Sequence, residues 1–237
     1  MHEDEELKNP LHIGTIESLC TAKFPSIVSR FREHHPQVKL QITVGTPEEL
    51  IRMMEHDQLD IIYILDATRW SESWVKAMEV AEPVVFVASP AFWAQKYAEC
   101  EKKGTVKWRT KTVGQEEISV RQITLDQILQ EPFFLTEKHA NYRQALDQHL
   151  ASCRCCLSPV LEISDTAFII QMLEQSRGLS FLPLFAVQKQ IWEGTLAAVE
   201  VDDVEISMYR QIFYHKNKFR TREMEQFITF ASEEENH

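Results

Sequence analysis

Apolar and polar positions follow one another with recognisable periods along most of the chain. Leu11-His12-Ile13-Gly14 alternates and ends on glycine, which predicts a strand running into a turn. Phe24, Ile27, Val28 and Phe31 recur at i, i+3, i+4 and i+7, one face of a helix that stops at His35-Pro36 because proline cannot continue it. Val38, Leu40, Ile42 and Val44 alternate strictly, the pattern of a strand with one face buried, and Gly45 ends it. Thr46-Pro47-Glu48-Glu49 is a helix start, with Thr46 as N-cap, Pro47 at the first helical position and Glu49 reaching back as the capping-box acid. Leu50, Met53 and Met54 form that helix's core face. Leu59 to Ile64 is nearly continuously apolar, as in a strand covered on both faces of a parallel sheet. The order so far is β-α-β-α-β.

The pattern then changes. Pro83 to Ala88 predicts another apolar strand, and Trp93 to Arg121, rich in Lys, Glu and Thr, reads as a surface excursion. A second α/β set follows: a strand at Phe133 to Thr136, a helix near Asn141 to Leu150, a strand at Val160 to Ile163, and a helix capped by Ser164 or Asp165 and closed by Gly178. Leu179 to Leu182 predicts a short strand, Phe185 to Trp192 a helix, Ile206 to Tyr214 a longer strand and Glu223 to Ala231 a terminal helix.

Composition narrows the function classes. The 237 residues carry 36 acidic and 25 basic side chains, a formal charge of −11 that repels phosphate backbones unless a basic face is segregated. The 6 glycines are never closer than ten positions, which excludes a dinucleotide fingerprint, a P-loop and a G-x-S-x-G elbow. The 9 histidines contain no H-E-x-x-H spacing, and Asp202-Asp203 reads as a turn, so neither catalysis nor a cofactor is expected. No apolar run approaches the roughly 18 residues of a membrane span, and the acidic start lacks the positive charge of a signal peptide. An odd count of 5 cysteines fits reduced thiols, and the expected location is cytoplasmic.

Taken in order, these landmarks resemble the regulatory, effector-binding domain of the LysR-type transcriptional regulators. Leu11-His12-Ile13-Gly14, the Phe24-Pro25 to Pro36 helix, Thr46-x-x-Glu49-Leu50, Leu59-Asp60-Ile61, Gly178-Leu179-Ser180-Phe181-Leu182-Pro183 and Met224 to Phe230 carry the likeness. It spans Leu11 to Ala231 and departs in a longer excursion around Ala98 to Glu117 and in the absence of a winged helix-turn-helix. The resemblance implies an α/β fold of two lobes of the periplasmic-binding-protein type (type 2), joined by two crossover strands with a cleft between. Lobe I would comprise 11–83 and 215–232, lobe II 84–214, and 1–10 an acidic tail. It further implies a homodimer, a tetramer in the full-length protein, and contact with DNA only through an N-terminal domain outside this chain. In the head-to-tail dimer so implied, Pro25, Val28 and Phe31 would face Tyr142 and Leu146 of a partner.

Ligands of α/β lobes settle at the carboxyl ends of strands, where helix N-termini offer unpaired N–H groups. Thr15, Glu17 and Ser18 follow the first strand, Thr46 the second, Thr136, Lys138, His139 and Asn141 the lobe-II strand, and Ser164 and Thr166 the next helix start. By resemblance, Thr15, Ser18, Thr46 and Thr136 fall where the family's effector contacts are common; as isolated residues, each hydroxyl equally reads as a helix cap. Glu17 on one side and Lys138, His139 and Arg143 on the other suggest a small carboxylate or an amino-acid-like effector. Cys153, Cys155 and Cys156 form a Cys-x-Cys-Cys cluster that reads either as packing or as a thiol or metal sensor. The peroxide-sensing branch of the family has its cysteine right after a histidine, where this chain has Ala140 after His139. A stand-alone solute-binding protein and an enzyme on the same plan are the remaining alternatives.

Overall fold

A computed structural model describes residues 7–105, 107–113, 116–175, 177–202, 204 and 206–234. The chain runs through β1 (Leu11–Thr15), α1 (Glu17–Ala22), α2 (Phe24–His34), β2 (Leu40–Val44), α3 (Pro47–Glu55), β3 (Ile61–Asp66) and β4 (Trp74–Glu82). It continues through β5 (Val84–Ala88), α4 (Pro90–Lys102), β6 (Lys107–Val113), β7 (Glu116–Gln122), α5 (Leu125–Ile128), β8 (Phe134–Leu135) and α6 (Asn141–Ser152). Then come β9 (Leu161–Glu162), α7 (Thr166–Gln175), β10 (Leu179–Pro183), α8 (Leu184–Glu193), β11 (Ala197–Val199), β12 (Met208–His215) and α9 (Arg222–Glu233). Two compact units result, Met1–Glu82 with Met208–His237, and Pro83–Ser207.

The first unit is a mixed sheet of order β2-β1-β3-β12-β4, with β1 parallel to β2 and β3 and β12 antiparallel to β3 and β4. Central β3 is buried at every position, which is why its run is apolar without alternation. On one face Phe24 and Phe31 of α2 pack against Phe227 at ring distances of 5.9 Å. Leu50, Ile51 and Met54 of α3 pack with Leu59, Ile62, Ile64 and Phe213 in another cluster. The predicted capping box is present, with Thr46 Oγ1 accepting from Glu49 N at 3.3 Å and Glu49 Oε2 accepting from Thr46 N at 2.9 Å.

Three expectations are corrected here. Val38 is buried, but Ile42 and Val44 are 36% and 50% exposed, because β2 is the edge of the sheet and its alternation is not matched by a covering layer. Gly14 lies inside β1 and does not open a turn; a Cβ there would stand 2.6 Å from Leu59 Cδ1 and 2.9 Å from Leu50 Cδ2, so close packing demands glycine. β12 pairs with β3 or β4 along its whole length, so the chain re-enters the first unit at Met208 rather than at His215. Strand β4 gives no clear period in the sequence because Lys76 and Glu79 interrupt it, as suits an edge strand.

In the second unit β5 lies antiparallel between β10 and β11, and β8 pairs in parallel with β9. A parallel bridge between Phe133 and Leu179 links the β8 segment to β10. Phe86, Phe92, Trp93, Phe133, Leu146, Leu150 and Phe181 belong to its core. The stretch read as a surface excursion therefore begins inside that core: Trp93 is 3% exposed and its Nε1 donates to the Ala197 carbonyl at 2.6 Å. Beyond α4 the chain forms the β6–β7 hairpin, a two-stranded sheet of its own. Gly178 does not close α7 either, since that helix ends at Gln175; a Cβ on Gly178 would meet the Phe134 ring at 2.6 Å. No helix among the described residues is long and apolar enough to cross a membrane.

Candidate functional site

In the first unit the parallel strands β1, β2 and β3 bring their carboxyl ends to one edge of the sheet. Thr15 is fully buried there, and its Oγ1 donates to the Tyr63 carbonyl at 3.0 Å, so its hydroxyl ties β1 to β3. Ser18 is buried in the first turn of α1, and Glu17 accepts from Thr21 Oγ1 at 3.0 Å. Thr46 is spent on the capping box of α3.

The same edge holds a cluster not singled out from the sequence. Asp66 ends β3 and is 6% exposed; burial pushes its carboxyl above the ordinary value, against the pull of the Arg69 guanidinium. Arg69 pairs through Nε with Asp66 and through Nη2 with Glu48 Oε1 at 2.8 Å, joining the end of β3 to the first turn of α3. Fully buried Gln211 completes it, accepting from Arg69 N at 3.1 Å and donating to the Ala67 carbonyl at 3.0 Å. The available signals were an Asp and an Arg three positions apart after an apolar strand, and a glutamine within the apolar run of β12.

In the second unit the carboxyl ends of β8 and β9 lead to the N-termini of α6 and α7, helices of 12 and 10 residues. Three uncharged polar side chains are buried here: Thr136 just after β8 at 4% exposure, and Asn141 and Thr166, the first residues of α6 and α7, at 8% and 2%. Thr136 Oγ1 has no hydrogen-bond partner among the described residues, although a buried hydroxyl without one is costly. Its carbonyl accepts from Arg143 Nη1 at 2.9 Å. Arg143, read from the sequence as a charge on the lip of the site, is instead 2% exposed and engaged by both Asp147 carboxylate oxygens at 3.0 Å, with Glu162 at 3.5 Å. Lys138 and His139 are exposed. Ser164 is exposed too, and the residue that caps α7 is Asp165, whose Oδ1 accepts from Phe168 N at 2.8 Å. This edge presents hydroxyl and amide groups beside two helix N-termini, each worth about half a positive charge, which suits a carboxylate or another oxygen-rich group.

The residues assigned to a dimer contact separate by burial. Pro25 is exposed and Val28 half-buried, but Phe31, Tyr142 and Leu146 lie in the cores of their own units and cannot supply contact area to a partner. The resemblance names the two helices, and these three residues lie on the inward faces of those helices. Cys155 packs against the core of the second unit, whereas Cys153 and Cys156 are exposed. Among the described residues no group of three or more His, Cys, Asp or Glu is arranged to hold a metal ion.

Comparison with known proteins gives a consistent picture. The sequence model of the LysR substrate binding domain matches residues 4–101 and 116–236. The chain is 22% identical over 213 residues to the HTH-type transcriptional activator CmpR of Synechocystis sp., a match covering 89% of this chain and 61% of that protein. It thus spans about three fifths of that relative's length. Among solved structures, the effector binding domain of QuiR in complex with shikimate superposes with a TM-score of 0.66 at 11% identity, covering 98% of this chain and 99% of that one. The regulatory domain of MexT, a transcriptional activator in Pseudomonas aeruginosa, gives 0.70 at 12% identity, covering 97% and 99%.

Proposed function

The chain belongs to the LysR substrate-binding domain family, and on that basis we propose that it senses a small carboxylate or amino-acid-like effector for a transcriptional regulator. The carrying observation is Thr136: a buried hydroxyl without a hydrogen-bond partner among the described residues, just after β8 and five positions before α6, with the first residues of α6 and α7, Asn141 and Thr166, buried as well. A ligand oxygen at this edge would complete the Thr136 hydrogen bonding, and the aligned N–H groups of α6 and α7 would stabilise its charge. With Arg143 consumed by Asp147 and Glu162, these groups supply recognition by neutral donors, while exposed Lys138 and His139 add long-range attraction.

The same reading assigns DNA contact to a helix-turn-helix portion outside this chain, a homodimer that becomes a tetramer in the full-length regulator, and a cytoplasmic location. The domain acts by binding rather than by turnover. An effector shifts the regulator only by the difference in its affinity for two conformations, typically about 1 to 3 kcal/mol of coupling. The family match favours this reading over a solute-binding protein or a thiol or metal sensor.

The test is a thermal-shift screen of the purified chain against small carboxylates and amino acids. A true effector at 100 times its dissociation constant adds about 2.7 kcal/mol, or about 5 to 10 °C for a chain of this size. The shift should largely disappear in Thr136→Val; a shift unchanged in that variant would remove the site.

A further inference from the structure

The helix that begins at the Thr136 edge ends in a turn holding three thiols, and these differ sharply in environment. Cys155 is half-buried, packs against the core of the second unit and donates from Sγ to the Cys153 carbonyl at 3.5 Å. Cys156 is exposed. Cys153 is also exposed, and its Sγ stands 3.9 Å from His149 Nε2 and 3.8 Å from Ser152 Oγ. The backbone fixes this arrangement. Cys153 is the C-cap of α6, its N–H bonded to the His149 carbonyl at 3.2 Å, so thiol and imidazole sit one helical turn apart on the same face. Arg154 then turns the chain away in a left-handed conformation at φ 59°. A solvent-open thiol with an imidazole nitrogen 3.9 Å away has a proton acceptor within a small side-chain movement of the sulfur.

We propose that Cys153 is a thiol–disulfide exchange site, with His149 as its proton acceptor and a low-molecular-weight disulfide as its substrate class. The Cys153 proton passes to His149 Nε2, and the sulfur attacks one sulfur of the small disulfide. A new S–S bond forms to Cys153 as the old one breaks. The leaving thiolate departs with the bonding electrons and is protonated by the imidazolium or by water, so Cys153 is oxidised and half of the small disulfide is reduced to thiol. The inference is independent of the effector reading, since it uses the opposite end of α6, about 18 Å from Asn141 at 1.5 Å per residue over its 12 residues.

The experiment follows the full 237-residue chain reacting with the aromatic disulfide dithiobis(nitrobenzoate), monitored by release of the coloured thiolate, with peptide mass mapping of the wild type after limited reaction. One fast equivalent located on Cys153 is expected. It should vanish in Cys153→Ser, persist in Cys156→Ser and slow by about tenfold or more in His149→Ala or His149→Gln at unchanged melting temperature. Mass mapping does not depend on any variant folding. Cys153 and Cys156 labelled at equal rates, a fast phase surviving Cys153→Ser, or a rate indifferent to both His149 variants would overturn the proposal. In Cys20 burial, with the Glu17 carboxylate beside it, pushes the thiol up, and Cys100 is buried, so both serve as slow internal references.

Discussion

Arg210 Nε lies 2.7 Å from Glu82 Oε2, with the two side chains 8% and 3% exposed. Glu82 is the last residue of the first unit before the chain leaves it, and Arg210 stands just after the chain returns, on the strand whose Met208 is in register with Glu82. The pair therefore staples the two crossing segments where they meet. Removing one partner takes this counter-charge away from a buried group, and Glu82→Ala or Arg210→Ala should cost about 3 to 5 kcal/mol in urea unfolding. The double variant Glu82→Leu/Arg210→Met should recover most of that loss. If it is as unstable as the singles, the pair contributes a net attraction rather than mutual neutralisation.

Glu223 gives the acid side of the stability profile a defined sign. Burial pushes its carboxyl up, but its own N–H, the N–H and amide of Asn9 and the N–H of Lys8 hold it below the usual carboxylate range. A folded value below the unfolded one means its stabilisation is present above the unfolded value near pH 4.3 and is lost as pH falls through the folded value. Glu223→Gln should therefore be less stable than wild type at pH 7, and the two denaturation curves should converge on acidification. A difference that persists at the lowest pH would show that shape, not charge, carries the effect.

Arg154 occupies a position that favours glycine. Cys155 N donates to the Leu150 carbonyl at 2.8 Å and Arg154 N to that of Ala151 at 3.0 Å, the Schellman pattern, with Arg154 at φ 59°. A side chain in this conformation costs roughly 1 to 2 kcal/mol, part of which glycine returns through its greater freedom when unfolded. Arg154→Gly should raise stability by about 0.5 to 1 kcal/mol. A loss measured by chemical denaturation would mean that the guanidinium contributes more than the backbone strain removes.

Gly178 should tolerate no side chain. Gly178→Ala puts a carbon 2.6 Å from the Phe134 ring and should destabilise by about 1 to 3 kcal/mol. Pairing it with Phe134→Leu should recover part of that loss if the clash is the cause. Equal melting temperatures for wild type and Gly178→Ala would show that the ring yields.

Local chemistry was legible in the residues wherever a short segment decides its own structure. The Thr46–Glu49 capping box and the doubly buried strand at Leu59 to Ile64 follow from sidechain–backbone bonding and uninterrupted apolarity, and both are present. The candidate strand ends were legible only as positions: Thr15, Ser18, Thr136 and Thr166 are all buried, but nothing local distinguishes a hydroxyl bonded across strands, as Thr15 is, from one without a partner among the described residues, as Thr136 is. Arg143 was misread for the same reason, since a charge in the first turn of a helix does not announce that Asp147 and Glu162 will enclose it.

The order of motifs along Leu11 to Ala231 determined the family and the α/β fold by itself, because each motif is a local capping, turn or packing requirement and their joint order is specific. The tertiary structure alone decided which apolar face is covered and which charge is paired. Ile42 and Val44 alternate as perfectly as a buried strand yet lie on an open edge, and Phe31 and Tyr142, which the resemblance implied for a partner surface, are buried in their own units. Periodicity states that a face is apolar; only the order of strands in a sheet and the helices laid on it state what covers that face.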